Sequence, residues 1–417
     1  MTELAEIRRR LVQNPWDHGA LNAFSMAAWA RDTPAAAQAA LRAFLSGPRD
    51  RRHTFNALLA LRQLGRLSDV PRWLPRKQVR LPPAERHTVD FAPLVETYQH
   101  LLAETNRRRG EAWAPSSIES AKFSTPLTVD HLMRFRRSEV ASGTQQAPDR
   151  PLDFPLLDFT ALYPDVTPQE IADWIPQLRE QRAGMLFRLA RIAATYPYNA
   201  DMGRALDLYD ALATDDGRFD VRLFSIPELG SVTSKSLLAA YYACRIYPLV
   251  RSGGSILEIG GGFGAVAARV MRARPDVVYM LTDLPVNLIL TYTYLRSHFG
   301  DAVYGAFEGP IRPPKGTRAL IIPPWRLTEL KGRASLVFNS MSFQHMDTRN
   351  HAFYGEIMRL YQARRLYHVN RQIVAPNDRT AEVPARFYSF LEQFSIVEDE
   401  EMDGRWIEVV ADRLPDV

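Results

Sequence analysis

A chain of 417 residues, 46% of them hydrophobic, holds enough apolar material for two or three domains. It has no run of about 18 consecutive apolar residues, which argues against a membrane span, and its single cysteine, Cys244, excludes an intramolecular disulfide and any multi-cysteine metal site. The formal charge of +5 sits in short, separated arginine clusters (Arg8–Arg10, Arg51–Arg52, Arg107–Arg109) mixed with acids, a pattern of solvated faces rather than of a basic stripe that binds nucleic acid.

The opening MTELAEIRRRL is charged and amphipathic and lacks the apolar run of a secretory signal, so a cytoplasmic location is expected. Helical spacing follows at Leu4, Ile7 and Leu11, at Leu41, Phe44 and Leu45, and at Phe55, Leu58, Leu59 and Leu61, with Pro15, Pro34, Pro48 and Pro71 between segments. Residues 1–137 therefore read as a helical N-terminal domain with a repeat-like look but no fixed period. The polar, proline-containing stretch 138–155 reads as a linker or loop. Residues 156–250 read as a helical segment covering the active site. It opens on Thr167-Pro168-Gln169-Glu170, a capping-box signature, and closes on the apolar helix SLLAAYYACRIYPLV.

From 251 to 417 the pattern changes. SILEI, VVYMLTD, RALIIPP, ASLVFNS and RLYHVN read as strands, with helices after the first and second and over 350–362. Such alternation predicts an α/β domain with a mostly parallel sheet covered on both faces. The tail differs: FSIVEDEEM and RWIEVVADRL flank Asp403-Gly404, a hairpin signal. A doubly wound, Rossmann-like sheet ending in an antiparallel hairpin is the expected fold, and it is the outline of a class I methyltransferase.

The chemistry concentrates at Glu258-Ile259-Gly260-Gly261-Gly262-Phe263-Gly264, between the first strand and its helix. Glycines there let the backbone turn tightly and approach a ligand, and the helix N-terminus attracts an anionic group. Asp283 ends the next strand, followed by Leu284, and a carboxylate there accepts hydrogen bonds from ribose hydroxyls. These features also fit a dinucleotide, since Gly260, Gly262 and Ala265 satisfy G-x-G-x-x-A. Glu258, two residues before the first glycine, and the antiparallel tail favour S-adenosylmethionine. Ile322-Pro323-Pro324-Trp325 has the look of the (D/N)PPW signature of base methylation. Its first position is isoleucine, which accepts no hydrogen bond, so it reads instead as a loop flanking the adenine.

LEIGGGFGAVA, TDLPVNLILTYTYL, ALIIPP, VFNSMSFQHM and LYHVNR, in that order over roughly residues 225–415, resemble the bacterial sugar O-methyltransferase family. The resemblance implies that the end of the fourth strand, Asn339 to His345, faces the reactive methyl group. Where the family carries an acidic residue, this chain has His345, the best-placed general base because an imidazole exchanges protons near neutrality. Asn370, at the end of the fifth strand, is expected to position substrate, and Asp347 is the alternative base. Tyr241 and Tyr242 read as core residues. The function expected is transfer of a methyl group from S-adenosylmethionine to a hydroxyl of a sugar, a glycosylated small molecule or a polysaccharide precursor. A non-catalytic scaffold keeping the cofactor fold and a nucleic-acid methyltransferase are the rivals. A divalent metal has no clear motif, and a homo-oligomer is left open.

Overall fold

The computed structural model of the chain describes residues 3–15, 17–28, 33–46, 60, 87–108, 110–114, 127–129, 132, 224–226, 230–232, 234–372, 383–402 and 406–415. The expected linker at 138–155, the capping box at 167–170, the apolar spacing at 55–61 apart from residue 60, and the turn at 403–404 lie outside them. In chain order the helices are α1 (Glu3–Gln13), α2 (His18–Ala28), α3 (Thr33–Ser46), α4 (Ala92–Arg107), α5 (Ser234–Ile246), α6 (Ala265–Ala273), α7 (Pro285–Phe299) and α8 (Thr348–Leu360). The strands are β1 (Phe224–Ile226), β2 (Gly230–Val232), β3 (Ser255–Ile259), β4 (Val278–Thr282), β5 (Val303–Gly305), β6 (Ala319–Ile321), β7 (Leu336–Ser340), β8 (Arg365–Arg371), β9 (Phe394–Met402) and β10 (Trp406–Arg413).

These elements form two compact units. The first, drawn from residues 1–81, 151–216 and 223–245, holds α1–α3, the β1–β2 hairpin and nearly all of α5. Leu21 of α2 meets Ala39 and Ala43 of α3, with Leu11 and Phe24 at the margin. The alanine-rich face of α3 leaves little between the two helix backbones, so they pack closely. Asp17 opens α2 by accepting the Ala20 amide at 3.0 Å while pairing with Arg10 at 2.8 Å. Tyr241, Tyr242 and Cys244 are buried, as the apolar pattern of α5 requires.

The second unit, from residues 82–150, 217–222 and 246–417, is built on an eight-stranded sheet of order β5-β6-β4-β3-β7-β8-β10-β9. Strands β3 to β8 are mutually parallel, and β10 runs antiparallel to both β8 and β9. This is the expected doubly wound, Rossmann-like sheet with its antiparallel hairpin. Its parallel strands are buried on both faces, so SILEI and LVFNS read as unbroken apolar runs rather than alternating ones. The winding reverses at β3, which has β4 on one side and β7 on the other, and ligands of such sheets lie outside the carboxyl ends at that reversal. The three-residue strand β5 on the outer edge is too short for a sequence pattern and was not anticipated, nor was the β1–β2 hairpin inside the stretch expected to be helical. Among the described residues no helix is long and apolar enough to cross a membrane.

Helix α4 belongs to this second unit and packs on α7. Leu94, Tyr98, Leu101 and Thr105 recur at helical spacing on its buried face. Just before it, the His87 amide donates to Ser297 O at 3.0 Å, so α4 starts beside the C-terminal end of α7. Leu101 is fully buried. Leu101→Ala should therefore lower the unfolding free energy by about 2–5 kcal/mol, the usual cost of truncating a core leucine. Urea denaturation checks this, and a change under about 0.5 kcal/mol would show that α4 is not part of the core.

Candidate functional site

The glycine run lies at the carboxyl end of β3. Gly260, Gly262 and Gly264 all take positive φ, at 76°, 57° and 87°, a region that L side chains enter at a cost. Space is as restrictive as torsion. A Cβ on Gly260 would overlap the Ser342 side chain, and one on Gly261 would lie 2.7 Å from Leu281 Cδ2. The loop is pinned from three sides. The Gly260 amide donates to Thr282 O at 2.8 Å, the Gly262 amide to Asp283 Oδ2 at 2.8 Å, and Thr291 Oγ to Gly262 O at 2.5 Å. Phe263 turns its ring onto Tyr294, edge to face at 5.1 Å, and anchors the loop to α7.

The two carboxylates differ in surroundings. Glu258 is 1% exposed and lies under Gly261. Burial pushes its carboxyl up to about 8, the nearby Asp283 charge acts in the same direction, and the Tyr279 side chain opposes both. Among the described residues its Oε2 has no well-formed hydrogen bond, although the Tyr279 hydroxyl is near the carboxyl. Asp283 is half-buried and accepts three donors: the Leu284 amide at 2.7 Å, Asn287 Nδ2 at 2.9 Å and the Gly262 amide. Burial still carries it up to about 6 against those donors. A carboxylate accepts about four hydrogen bonds, so as it stands Asp283 has capacity for one more, at Oδ2. The sequence reading gave it a pair of ribose hydroxyls.

The end of β7 is tied into the same place. Asn339 is fully buried; its Nδ2 donates to Ile259 O at 2.7 Å and to Ser342 Oγ, and its Oδ1 accepts from the Phe343 amide and from Asn370 Nδ2 at 2.9 Å. Met341 follows at φ 59°, an unusual value for a residue with a side chain, held by its amide donating to Val369 O at 2.7 Å. Asn370, also fully buried, accepts the Gln344 amide at 3.3 Å. Gln344 then orients His345. Its Oε1 accepts the Arg371 amide at 3.1 Å, so its Nε2 is the end that meets His345 Nε2, also at 3.1 Å. An amide NH₂ only donates, so His345 Nε2 carries the lone pair.

The structure thus brings Glu258, the four glycines, Asp283, Asn339, Asn370 and His345 to one end of the sheet. Leu284 reaches Asp283 through its backbone. Asp347 is occupied elsewhere: it caps α8, accepting the Asn350 amide at 2.9 Å while Asn350 Oδ1 takes the Asp347 amide, and it pairs with Arg349. Ile322 is fully buried. The sequence reading missed Gln344 and Ser342 as supporting groups, although both lie inside the segment it singled out. Among the described residues no group of three or more His, Cys, Asp and Glu side chains could hold a metal ion.

No protein-family model matches this chain, and no curated protein matches it. Solved structures do. Magnesium protoporphyrin IX methyltransferase (ChlM) from Synechocystis PCC 6803, with bound SAH, is 14% identical over 42% of this chain and 80% of that one, with a TM-score of 0.32. The same enzyme has also been solved with bound SAM. The pyocyanin biosynthetic protein PhzM is 15% identical over 59% of this chain and 70% of that one, TM-score 0.33. The mitomycin 7-O-methyltransferase MmcR is 14% identical over 90% and 75%, TM-score 0.30.

The buried Glu258 sets a pH dependence of stability. Between its ordinary value of 4.5 and about 8 the unfolded carboxyl is ionised while the folded one keeps its proton. The native state then binds more protons, so stability falls as pH rises through this window and levels off above it. Glu258→Gln should remove that fall, and the variant should gain on the unmodified, ligand-free chain from pH 5 to pH 8 in urea denaturation. Parallel stability curves would show that Glu258 is not buried with a raised pKa.

Proposed function

We propose that this chain is an S-adenosylmethionine-dependent methyltransferase acting on a hydroxyl of a small molecule, a sugar or glycosylated acceptor in the first instance. The observation that carries the cofactor reading is the buried Glu258 carboxyl beneath a glycine loop, its Oε2 without a well-formed hydrogen bond among the described residues, with Asp283 at the end of the next strand. A buried carboxylate with no cation beside it and only the Tyr279 hydroxyl nearby is costly, and a cationic ligand held over the loop lowers that cost. A methionyl ammonium meets that need, whereas the pyrophosphate of a dinucleotide brings negative charge to it. The carbohydrate acceptor rests on the sequence resemblance.

When bound, the cofactor supplies an electrophilic methyl group whose transfer leaves a neutral thioether. The residues of the chain do the rest. Gly260–Gly264 would let the backbone approach the ligand, and Asp283 Oδ2 would accept a ribose hydroxyl. The Asn339–Asn370–Gln344 network holds the segment after β7 in one conformation, which fixes where an acceptor hydroxyl must lie to be in line with the methyl carbon. His345 would take the hydroxyl proton as the oxygen–carbon bond forms and the carbon–sulfur bond breaks, its Nε2 lone pair exchanging the Gln344 amide that it accepts in the ligand-free chain for the acceptor hydroxyl.

His345→Ala should lower turnover by about 10²–10⁴-fold, the usual share of a general base, with the affinity for S-adenosylhomocysteine unchanged. Asp283→Ala should do the opposite, weakening cofactor binding by about 1–3 kcal/mol as buried donors lose their acceptor. Methyl-transfer assays with sugar nucleotides and glycosylated metabolites, using labelled cofactor, test both. Full turnover in His345→Ala would remove it as the base, and no product from any hydroxyl acceptor would count against the proposed reaction.

A further inference from the structure

The segment 110–114, N-terminal to everything that marks the cofactor site in sequence, reaches the carboxyl ends of the strands. Its path follows from the helices. Helix α7 leaves the carboxyl end of β4 and runs away from it, and α4 starts beside the far end of α7, where the His87 amide meets Ser297 O. Packed on α7, α4 runs back and delivers residues 110–114 at the ligand side of the sheet. Contacts there confirm the destination. Asn350 Nδ2, in the first turn of α8, donates to Ala112 O at 2.6 Å and to Ala114 O at 3.1 Å. The Trp113 ring lies 4.8 Å from that of Trp325, tilted by 45°.

Trp325 lies in the turn after β6, the strand beyond β4 when counted from β3, with Ile322, Pro323 and Pro324 between it and the strand. It is partly exposed, whereas Trp113 behind it is 4% exposed, its indole N–H donating to Glu111 Oε2 at 2.6 Å. Next to it, the Arg326 guanidinium is buried on Ala306 O at 2.9 Å and paired with Glu329, which makes the β6 loop rigid. Asn350 is 3% exposed and has its carbonyl oxygen on the Asp347 amide, so the grip on residues 112 and 114 is fixed at both ends. One short segment therefore locks the loop after β6 to the helix after β7.

We propose that residues 111–114 complete the adenine wall of the cofactor crevice: Trp325 offers its ring to the base, and Trp113 and Asn350 are positioning residues that hold that ring. The inference rests on the cofactor reading above and adds to it that a segment before the Rossmann-like sheet is part of the site. With a ribose on Asp283 at the end of β4, a base directed along the sheet toward β6 would meet this aromatic pair.

The test is calorimetric titration of the full chain with S-adenosylhomocysteine and with 5′-methylthioadenosine, which share only the nucleoside half. Trp113→Leu and Asn350→Ala should weaken both ligands by about the same factor, on the order of tenfold, the scale of lost base–aromatic stacking. Trp113→Phe should restore most of it. Unchanged affinities in variants that unfold like the unmodified chain would overturn the wall while leaving the cofactor reading intact. Failure of the unmodified chain to bind S-adenosylhomocysteine would overturn both. Should the variants fail to fold, tryptophan emission decides. Saturating S-adenosylhomocysteine should change it, and Trp325→Phe should abolish most of that change. An undiminished change in Trp325→Phe would place the base elsewhere.

Discussion

Beyond the backbone pairing of β3 and β7, between which the sheet reverses, one buried side-chain amide ties their carboxyl ends together. Asn339, on β7, holds the carbonyl of Ile259, the last residue of β3, and the next residue is the first glycine of the loop. The same side chain reaches Ser342, the Phe343 amide and Asn370. A side-chain amide has two donors and one acceptor oxygen, and here both ends are used. The glycine loop depends on it twice over. Asn339 fixes where the loop begins, and it fixes Ser342, the group that leaves no room for a side chain at Gly260. The position of His345 follows along the same chain of bonds, through Asn370 and Gln344.

Around this hub two carboxylates are prepared for different partners. Asp283 is held by three donors, two of them backbone amides, so its orientation is fixed before any ligand arrives. Glu258 is the reverse case: buried, with an Oε2 that has no well-formed hydrogen bond among the described residues and a pKa raised to about 8. Leaving a buried polar group unsatisfied costs about 1–3 kcal/mol, more when it is charged. In the ligand-free chain the proton it keeps limits that cost. A cation over the loop would favour the ionised form, which couples ligand binding to the charge of this one side chain.

What could be read in the sequence was local. The apolar runs of β3, β4, β6, β7 and β8, the glycine turn and the acid at the end of β4 carry their signals within a few residues, because strand burial and positive φ constrain the residues that adopt them. The hairpin β9–β10 was equally legible from the Asp403-Gly404 signal between two strand-like runs. What could not be read depends on residues far apart. Asn370 meets Asn339 and Gln344 from a different strand, 31 and 26 positions away. Trp113 meets Trp325, and Asn350 meets Ala112, across more than two hundred residues, with no periodicity to announce it. Asp347 shows a signal that was present and passed over: an acid three residues before Asn350 at a helix start is a capping pattern, and the structure uses it as a cap.

The central claim is that the crevice at the end of β3 takes a cationic aminoacyl nucleoside rather than a dinucleotide. Calorimetric titration of the full, ligand-free chain with S-adenosylmethionine, S-adenosylhomocysteine and NAD tests it most directly. The account predicts saturable binding of both adenosyl ligands, with a proton release that Glu258→Gln reduces, and no heat from NAD. Tight binding of NAD together with no binding of either adenosyl ligand would contradict it.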